Sequence, residues 1–233
     1  MHHVVLDQWS RGASPLHRRD PRVKIIVLLV ILIVLATAHR ELPLLAGVLF
    51  AMLCGTMIWA RIPLGGAIMR AGLVLPFALV FAAASWIGGD PGRGVALILK
   101  GYVSALAVLA VVSTTPLPLL LRGIEMFGAP RFLLMVAQFL YRYLFVISEQ
   151  AQHMRKSAAA RGGSFRGAAG ALAVLFARSY QRAGEIHRAM LARGFQGQFH
   201  PLAAPHFHLA DTIFLLIGCA LPLAARVALE RIA

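Results

Sequence analysis

Residues 132–148, FLLMVAQFLYRYLFVIS, decide how this chain is organised. They are apolar except for Gln138, Arg142 and Ser148, and a membrane span needs about 20 mainly apolar residues, roughly 17–25. The downstream charges argue against a crossing. A span here would carry residues 149–208 across the bilayer, with Arg155, Lys156, Arg161, Arg166, Arg178, Arg182, Arg188 and Arg193. Lys and Arg gather on the cytoplasmic side of membrane proteins, so that export runs against the charge rule. Read instead at the helical period, Arg131, Gln138, Arg142, Glu149, Gln152, His153 and Lys156 fall within about 60° of one direction. Phe132, Met135, Phe139, Tyr143 and Val146 lie mostly away from that stripe. The expectation is one long amphipathic helix over about 131–160, lying outside the bilayer core.

A second such helix is expected over about 170–193. Arg178, Gln181, Arg182, Glu185 and Arg188 form its polar face, and Leu172, Phe176, Tyr180, Ala183 and Met190 the opposite one. Working outward, residues 25–38, 42–60, 71–87, 95–121 and 212–225 are apolar runs, the fourth interrupted only by Lys100. Five spans with a cytoplasmic N-terminus place eighteen of the 23 Lys and Arg residues inside and leave Arg40, Arg93, Arg226 and Arg231 outside. The expected organisation is a cytoplasmic segment over 1–24, four transmembrane helices over 25–115, a basic cytoplasmic module over 116–208, and a fifth transmembrane helix with an external C-terminus over 209–233. The fold class is all-α integral membrane, multi-pass in the inner (plasma) membrane.

Composition agrees with this class. The chain has 233 residues, 59% of them hydrophobic, against 45–50% in soluble domains. Its formal net charge is +14, yet only 14% of residues are charged. Nucleic-acid binders of such basicity are dense in charge, whereas here the charges flank apolar runs. The lipid bilayer is the expected partner, and nucleic acid is not. Cys54 and Cys219 both sit inside apolar runs, which disfavours a disulfide framework.

Two motifs stand out. Ala160-Arg161-Gly162 ends the first amphipathic helix and Ala192-Arg193-Gly194 ends the second. Helix capping accounts for either one, since Gly supplies the left-handed residue and Arg favours the negative end of the dipole. Docking accounts for the pair, since an Arg at a helix tip offers a five-donor fork to a partner's carboxylates or carbonyls. The other motif is Asp20-Pro21-Arg22-Val23-Lys24, immediately before the first span. Asp20 reads as an N-cap, Pro21 as the first helical residue, and Arg22 and Lys24 as an interfacial anchor. Lys100 reads as a residue snorkelling to the far surface. The Gly-rich stretch 88–94 lacks the GK[ST] ending of a phosphate loop and reads as an external turn.

Together, a DPRxK word before the first span, four spans, two amphipathic helices each ending in ARG, and a final span resemble the T component of energy-coupling-factor transporters. The wording RYLFVISEQAQHMRKSAAARG and RSYQRAGEIHRAMLARGFQG is similar to its cobalt-type, CbiQ-like branch. The resemblance covers nearly the whole chain. It implies an L-shaped scaffold that joins two cytoplasmic ATPase subunits to a substrate-binding membrane S component. The family's two Arg signatures fall on Arg161 and Arg193. ATP and magnesium then belong to the partner ATPases, the chain itself needs no cofactor or metal, and it is not an enzyme. Cobalt is the implied substrate of the assembly, with nickel or a vitamin as alternatives. Two other classes are disfavoured by the residues themselves. An intramembrane enzyme needs a metal-binding word such as H-E-x-x-H or paired carboxylates at membrane depth, and the nine acids include none mid-span. A self-sufficient secondary transporter usually shows two related halves and midplane ionisable residues, and neither is visible.

Overall fold

A computed structural model describes residues 9–10, 12, 14–38, 42–160, 162, 168–197 and 208–232. Among them every regular element is helical: α1 (Pro21–Thr37), α2 (Leu42–Trp59), α3 (Leu64–Ala71), a single 3₁₀ turn (Gly72–Val74), α4 (Leu75–Ile87), α5 (Pro91–Thr114), α6 (Leu117–Met126), α7 (Arg131–Ala160), α8 (Ala168–Ala192) and α9 (Leu209–Ile232). The protein is an all-α, multi-pass membrane protein. The stretches Leu64–Ile87, Pro91–Thr114, Arg131–Ala160 and Leu209–Leu229 are long and apolar enough to cross a bilayer, and Pro43–Trp59 is a shorter apolar helix.

The chain divides into two compact units, residues 1–126 with 205–233, and residues 127–204. The first unit is assembled around α1, which touches α2, α5, α6 and α9. Val23, Val27, Ile31, Val34 and Leu35 of α1 are buried against Leu45, Leu49, Leu53 and Met57 of α2 and against Val103, Leu106 and Ala107 of α5. Small residues set the closest approaches. A Cβ on Gly218 of α9 would stand 2.8 Å from Val27 Cγ2, and one on Gly94 of α5 would stand 3.0 Å from the Ala82 carbonyl oxygen of α4. Without a strong hydrophobic drive between helices in lipid, such close backbone packing carries much of the association.

Three features refine the sequence expectation. The apolar run 95–121 is not one helix: α5 stops at Thr114, and Thr115 is extended (φ −142°, ψ 119°). Pro116 explains the break, because proline pushes the preceding residue out of the helical region and offers no N–H. The next helix, α6, lies in the first unit and packs on α1, with Gly123 beside Ile25 and Pro21. The third span begins at Leu64 rather than 71 and takes in Arg70, because the 3₁₀ turn at Gly72–Val74 joins α3 to α4. Lys100 does more than reach for the surface. Its Nζ donates to the Ala36 carbonyl at 2.9 Å, and Arg226 donates to Thr37 Oγ1. Two cations thus meet the C-terminal end of α1, where the helix dipole favours them.

The link from α2 to α3 has one unusual residue. Arg61 has φ +56°, the one positive φ outside glycine among the described residues. Its N–H donates to the Ile58 carbonyl (2.9 Å), and the Ile62 N–H donates to the Met57 carbonyl (3.1 Å). This is the paired hydrogen bonding of a Schellman cap, with arginine where glycine is the ordinary occupant. The left-handed conformation costs a side-chain-bearing residue about 1–2 kcal/mol.

In the second unit α7 and α8 touch one another. Phe132, Val136, Leu140 and Leu144 recur every four residues along α7 and are exposed, as are Leu172, Phe176 and Tyr180 along α8. Met135, Phe139, Tyr143 and Val146 are half-buried.

Candidate functional site

The Asp20–Lys24 motif folds into a buried polar hub joining three helix ends. Asp20 caps α1, its Oδ1 accepting the Arg22 N–H at 2.9 Å, and Pro21 occupies the first helical position, where a missing N–H costs nothing. One turn later Lys24 points inward. It is 3% exposed, and its Nζ donates to the Thr114 carbonyl (3.0 Å) and to Thr115 Oγ1 (2.7 Å). The break at Thr115–Pro116 is what leaves that terminal carbonyl of α5 free to accept. Asp211, in the first turn of α9 and 2% exposed, completes the hub. Its Oδ2 accepts the His208 N–H (3.0 Å), its Oδ1 accepts the Asp20 N–H (3.4 Å), and Arg19 lies 3.7 Å from Oδ1. An ammonium at the C-terminal end of α5 and a carboxylate at the N-terminal end of α9 both sit where helix dipoles favour them. Lys24 therefore acts as an internal strut, not as the interfacial anchor that its place before an apolar run suggests.

Sequence reasoning misses Thr114, Thr115 and Asp211 as members of this hub. They lie 90, 91 and 187 residues from Lys24, and no local pattern links positions so distant. The available signal is Asp211 itself, a lone acid at the edge of an apolar run.

The two ARG words share a backbone device. At the end of α8, Gly194 has φ +76°. Its N–H donates to the Leu191 carbonyl (3.0 Å), and the Phe195 N–H donates to the Met190 carbonyl (3.0 Å). These two bonds define a Schellman cap. At the end of α7, Gly162 has φ +69°, and its N–H donates to the Ala159 carbonyl at 3.1 Å. Arg161 lies outside the described residues. Arg193 is exposed, as are Ala160, Gly162, Ala192 and Gly194. The Arg193 N–H takes part in the last turn, donating toward the Ala189 and Met190 carbonyls. The cap is thus made by backbone groups and glycine, so it leaves the Arg193 guanidinium uncommitted to helix termination. No cluster of three or more His, Cys, Asp or Glu side chains that could hold a metal occurs among the described residues.

The match to known proteins covers both ARG words and the part of the hub before Asp211. The family model described as "Cobalt transport protein" (CbiQ) matches residues 12–201, from before Asp20 to beyond Gly194. The chain belongs to the CbiQ family. A curated relative named cobalt transport protein CbiQ, from Rhodobacter capsulatus, is 28% identical over 66% of this chain and 69% of its own. An energy-coupling factor transporter transmembrane protein EcfT from Bacillus selenitireducens is 25% identical over 98% of this chain and 97% of its own. Another EcfT, from Acidaminococcus fermentans, is 26% identical over 83% and 84%. The chain is accordingly a T component of the energy-coupling-factor type, of the CbiQ-like branch, and the relatives it resembles are transporter membrane components. The hub belongs to the first unit and the Arg-Gly helix ends to the second.

Proposed function

We propose that the chain is the coupling scaffold of an ATP-driven importer. In this reading two cytoplasmic ATPase subunits engage the ends of α7 and α8, and a separate membrane S component captures the substrate. The observation that carries it is the repeated helix end: two neighbouring helices of one unit finish in the same Ala-Arg-Gly, with a left-handed glycine at the same position. Closing of the ATPases on ATP would move both helices, and their exposed apolar stripes offer surfaces through which the movement can reach the S component. ATP and magnesium are assigned to the ATPases, in keeping with the lack of a phosphate-loop word here. Cobalt is the proposed substrate, supported by the printed names of the family and of the Rhodobacter relative. Nickel or a vitamin is the second reading, since two relatives carry the general name EcfT.

Affinity purification of the tagged chain, co-expressed with energy-coupling-factor ATPase subunits, tests the scaffold. The ATPases should co-purify, and nucleotide turnover should appear only when they are present. Turnover by the lone chain, or no co-purification, overturns the proposal. Radiolabelled uptake by the full assembly tests cobalt, and vitamin uptake in its place would remove that assignment.

The proposed orientation has the N-terminus and residues 127–204 on the cytoplasmic side, carried by the charge distribution. Single cysteines at Ser164 and at Gly92, in a background lacking Cys54 and Cys219, should separate in intact cells. An impermeant thiol reagent should label position 92 and spare position 164. Labelling of 164 from outside would invert the reading.

A further inference from the structure

A cavity of about 590 Å³ lies beside the α2–α3 link, outside both features described above. Its lining includes Trp9 and His17 from the segment before α1, and Trp59, Arg61, Ile62 and Pro63 from the link itself. Trp59 is the last residue of α2 and Leu64 opens the next membrane helix, so the cavity sits where apolar helices give way to the surface. Tryptophan concentrates at that level, with its indole half in lipid and half in headgroup. The N-terminal wall is built rather than loose. His17 bridges Ser14 Oγ (2.6 Å, from Nδ1) and the Trp9 carbonyl (2.8 Å, from Nε2), and the Arg70 guanidinium stands 4.2 Å over the Trp9 ring.

Arg61 gives the cavity its character. Elsewhere in this chain, at Gly162 and Gly194, the same left-handed cap position is filled by glycine. Here the chain holds an arginine in that conformation, and backbone strain of this kind gathers at functional sites. Among the described residues the cavity lining contains a guanidinium and no carboxylate. On the two helices that the link joins, Ile58 and Met69 are exposed apolar side chains.

We propose that this cavity binds the headgroup of an anionic phospholipid of the phosphatidylglycerol class. Arg61 receives the phosphate, the two indoles flank the glycerol backbone, and the acyl chains lie along the apolar faces of α2 and α3. The Arg61 guanidinium, with no carboxylate beside it in the described lining, attracts a net-anionic headgroup more strongly than a zwitterionic choline or ethanolamine one. The apolar rim selects against a free phosphate ester, which has no use for it.

The full chain has three tryptophans, and two line the cavity. In a Trp86→Phe background, purified in neutral detergent, they report on occupancy by fluorescence. Short-chain phosphatidylglycerol should give a saturable change. Phosphatidylcholine of equal chain length should require at least ten-fold more. Arg61→Gly removes the guanidinium while suiting the backbone, so the variant should melt at the same temperature or higher and bind phosphatidylglycerol at least ten-fold more weakly. Equal response to the two lipids, or unchanged affinity in Arg61→Gly, overturns the proposal. Saturation by inorganic phosphate at the same concentration as the lipid would make the site a free-phosphate site and overturn it as well.

Discussion

Asp211→Ala destabilises the first unit by about 3–5 kcal/mol, the usual cost of removing one partner from a buried charge network. The carboxylate receives two backbone N–H groups and faces Arg19, and with Asp20 it acts electrostatically on the buried Lys24 ammonium. Alanine deletes the acceptor for the His208 and Asp20 N–H groups and leaves Lys24 short of negative charge. For a chain of this size the loss corresponds to a fall of roughly 6–20 °C in melting temperature, read from thermal unfolding in detergent. Asp211→Asn keeps an acceptor of the same shape and should lose less. Lys24→Met should lose as much as Asp211→Ala, because it leaves the buried terminal carbonyl of α5 without its donor and removes a positive charge that Asp20 and Asp211 share with Arg22 and Arg19. The Lys24→Met/Asp211→Asn double variant should be less destabilised than the sum of the single changes, since coupled sites are not additive. A shift under about 2 °C for Asp211→Ala would mean that the hub is incidental to stability.

Arg193→Glu abolishes ATPase capture under the proposed coupling, and Arg161→Glu does the same. Truncating one side of a buried, hydrogen-bonded charge pair costs about 2–5 kcal/mol, which is roughly thirty-fold to several-thousand-fold in affinity. Reversal adds like-charge repulsion. The lone membrane protein should still fold, because the α8 cap is made by the Gly194 and Phe195 N–H groups and not by the guanidinium. Helix-dipole loss alone is worth only about 0.3–1 kcal/mol. Arg193→Lys should rescue in part, since an ammonium lacks the planar fork. Gly194→Ala serves as the opposite control: at φ +76° it strains the cap while keeping the arginine. Co-purification and uptake should therefore respond strongly to Arg193→Glu and weakly to Gly194→Ala. Equal, small effects would reduce the ARG words to helix terminators.

The parts of this fold that obey a local period could be read from the sequence. The helical class, the apolar runs and the N-cap at Asp20 depend on neighbours within a turn or two. The break at Thr115 has a local cause as well, Pro116, and falls at the expected end of the fourth transmembrane helix. What could not be read was the inward turn of Lys24. A basic residue beside an apolar run has two physically reasonable destinations, headgroups or a buried acceptor, and only the fold brings Thr114 and Asp211 within reach. Likewise the glycine of each ARG word is legible as a cap, while the question of whether the arginine also serves a partner lies outside any single chain. The strain at Arg61 leaves no sequence trace, since nothing in the order of residues 58–63 demands a left-handed turn at that position.

The bond between Asp20 and Asp211 also has a timetable. Its partners are 191 residues apart, and at about 5–20 residues per second a ribosome needs roughly 10–40 s to travel from one to the other. For that interval α1 lacks both the acceptor for its N-cap N–H and the Asp211 charge that acts on its lysine together with Asp20. Thr115 emerges about halfway through, so the ammonium finds a hydrogen bond before it finds its full complement of negative charge. The helix made first is thus the last to be secured, and residues 127–204 are synthesised while the bundle around it is still open. A chain terminated between residues 195 and 210 would carry both helix ends on which coupling is proposed to depend and still lack the carboxylate that secures its first helix.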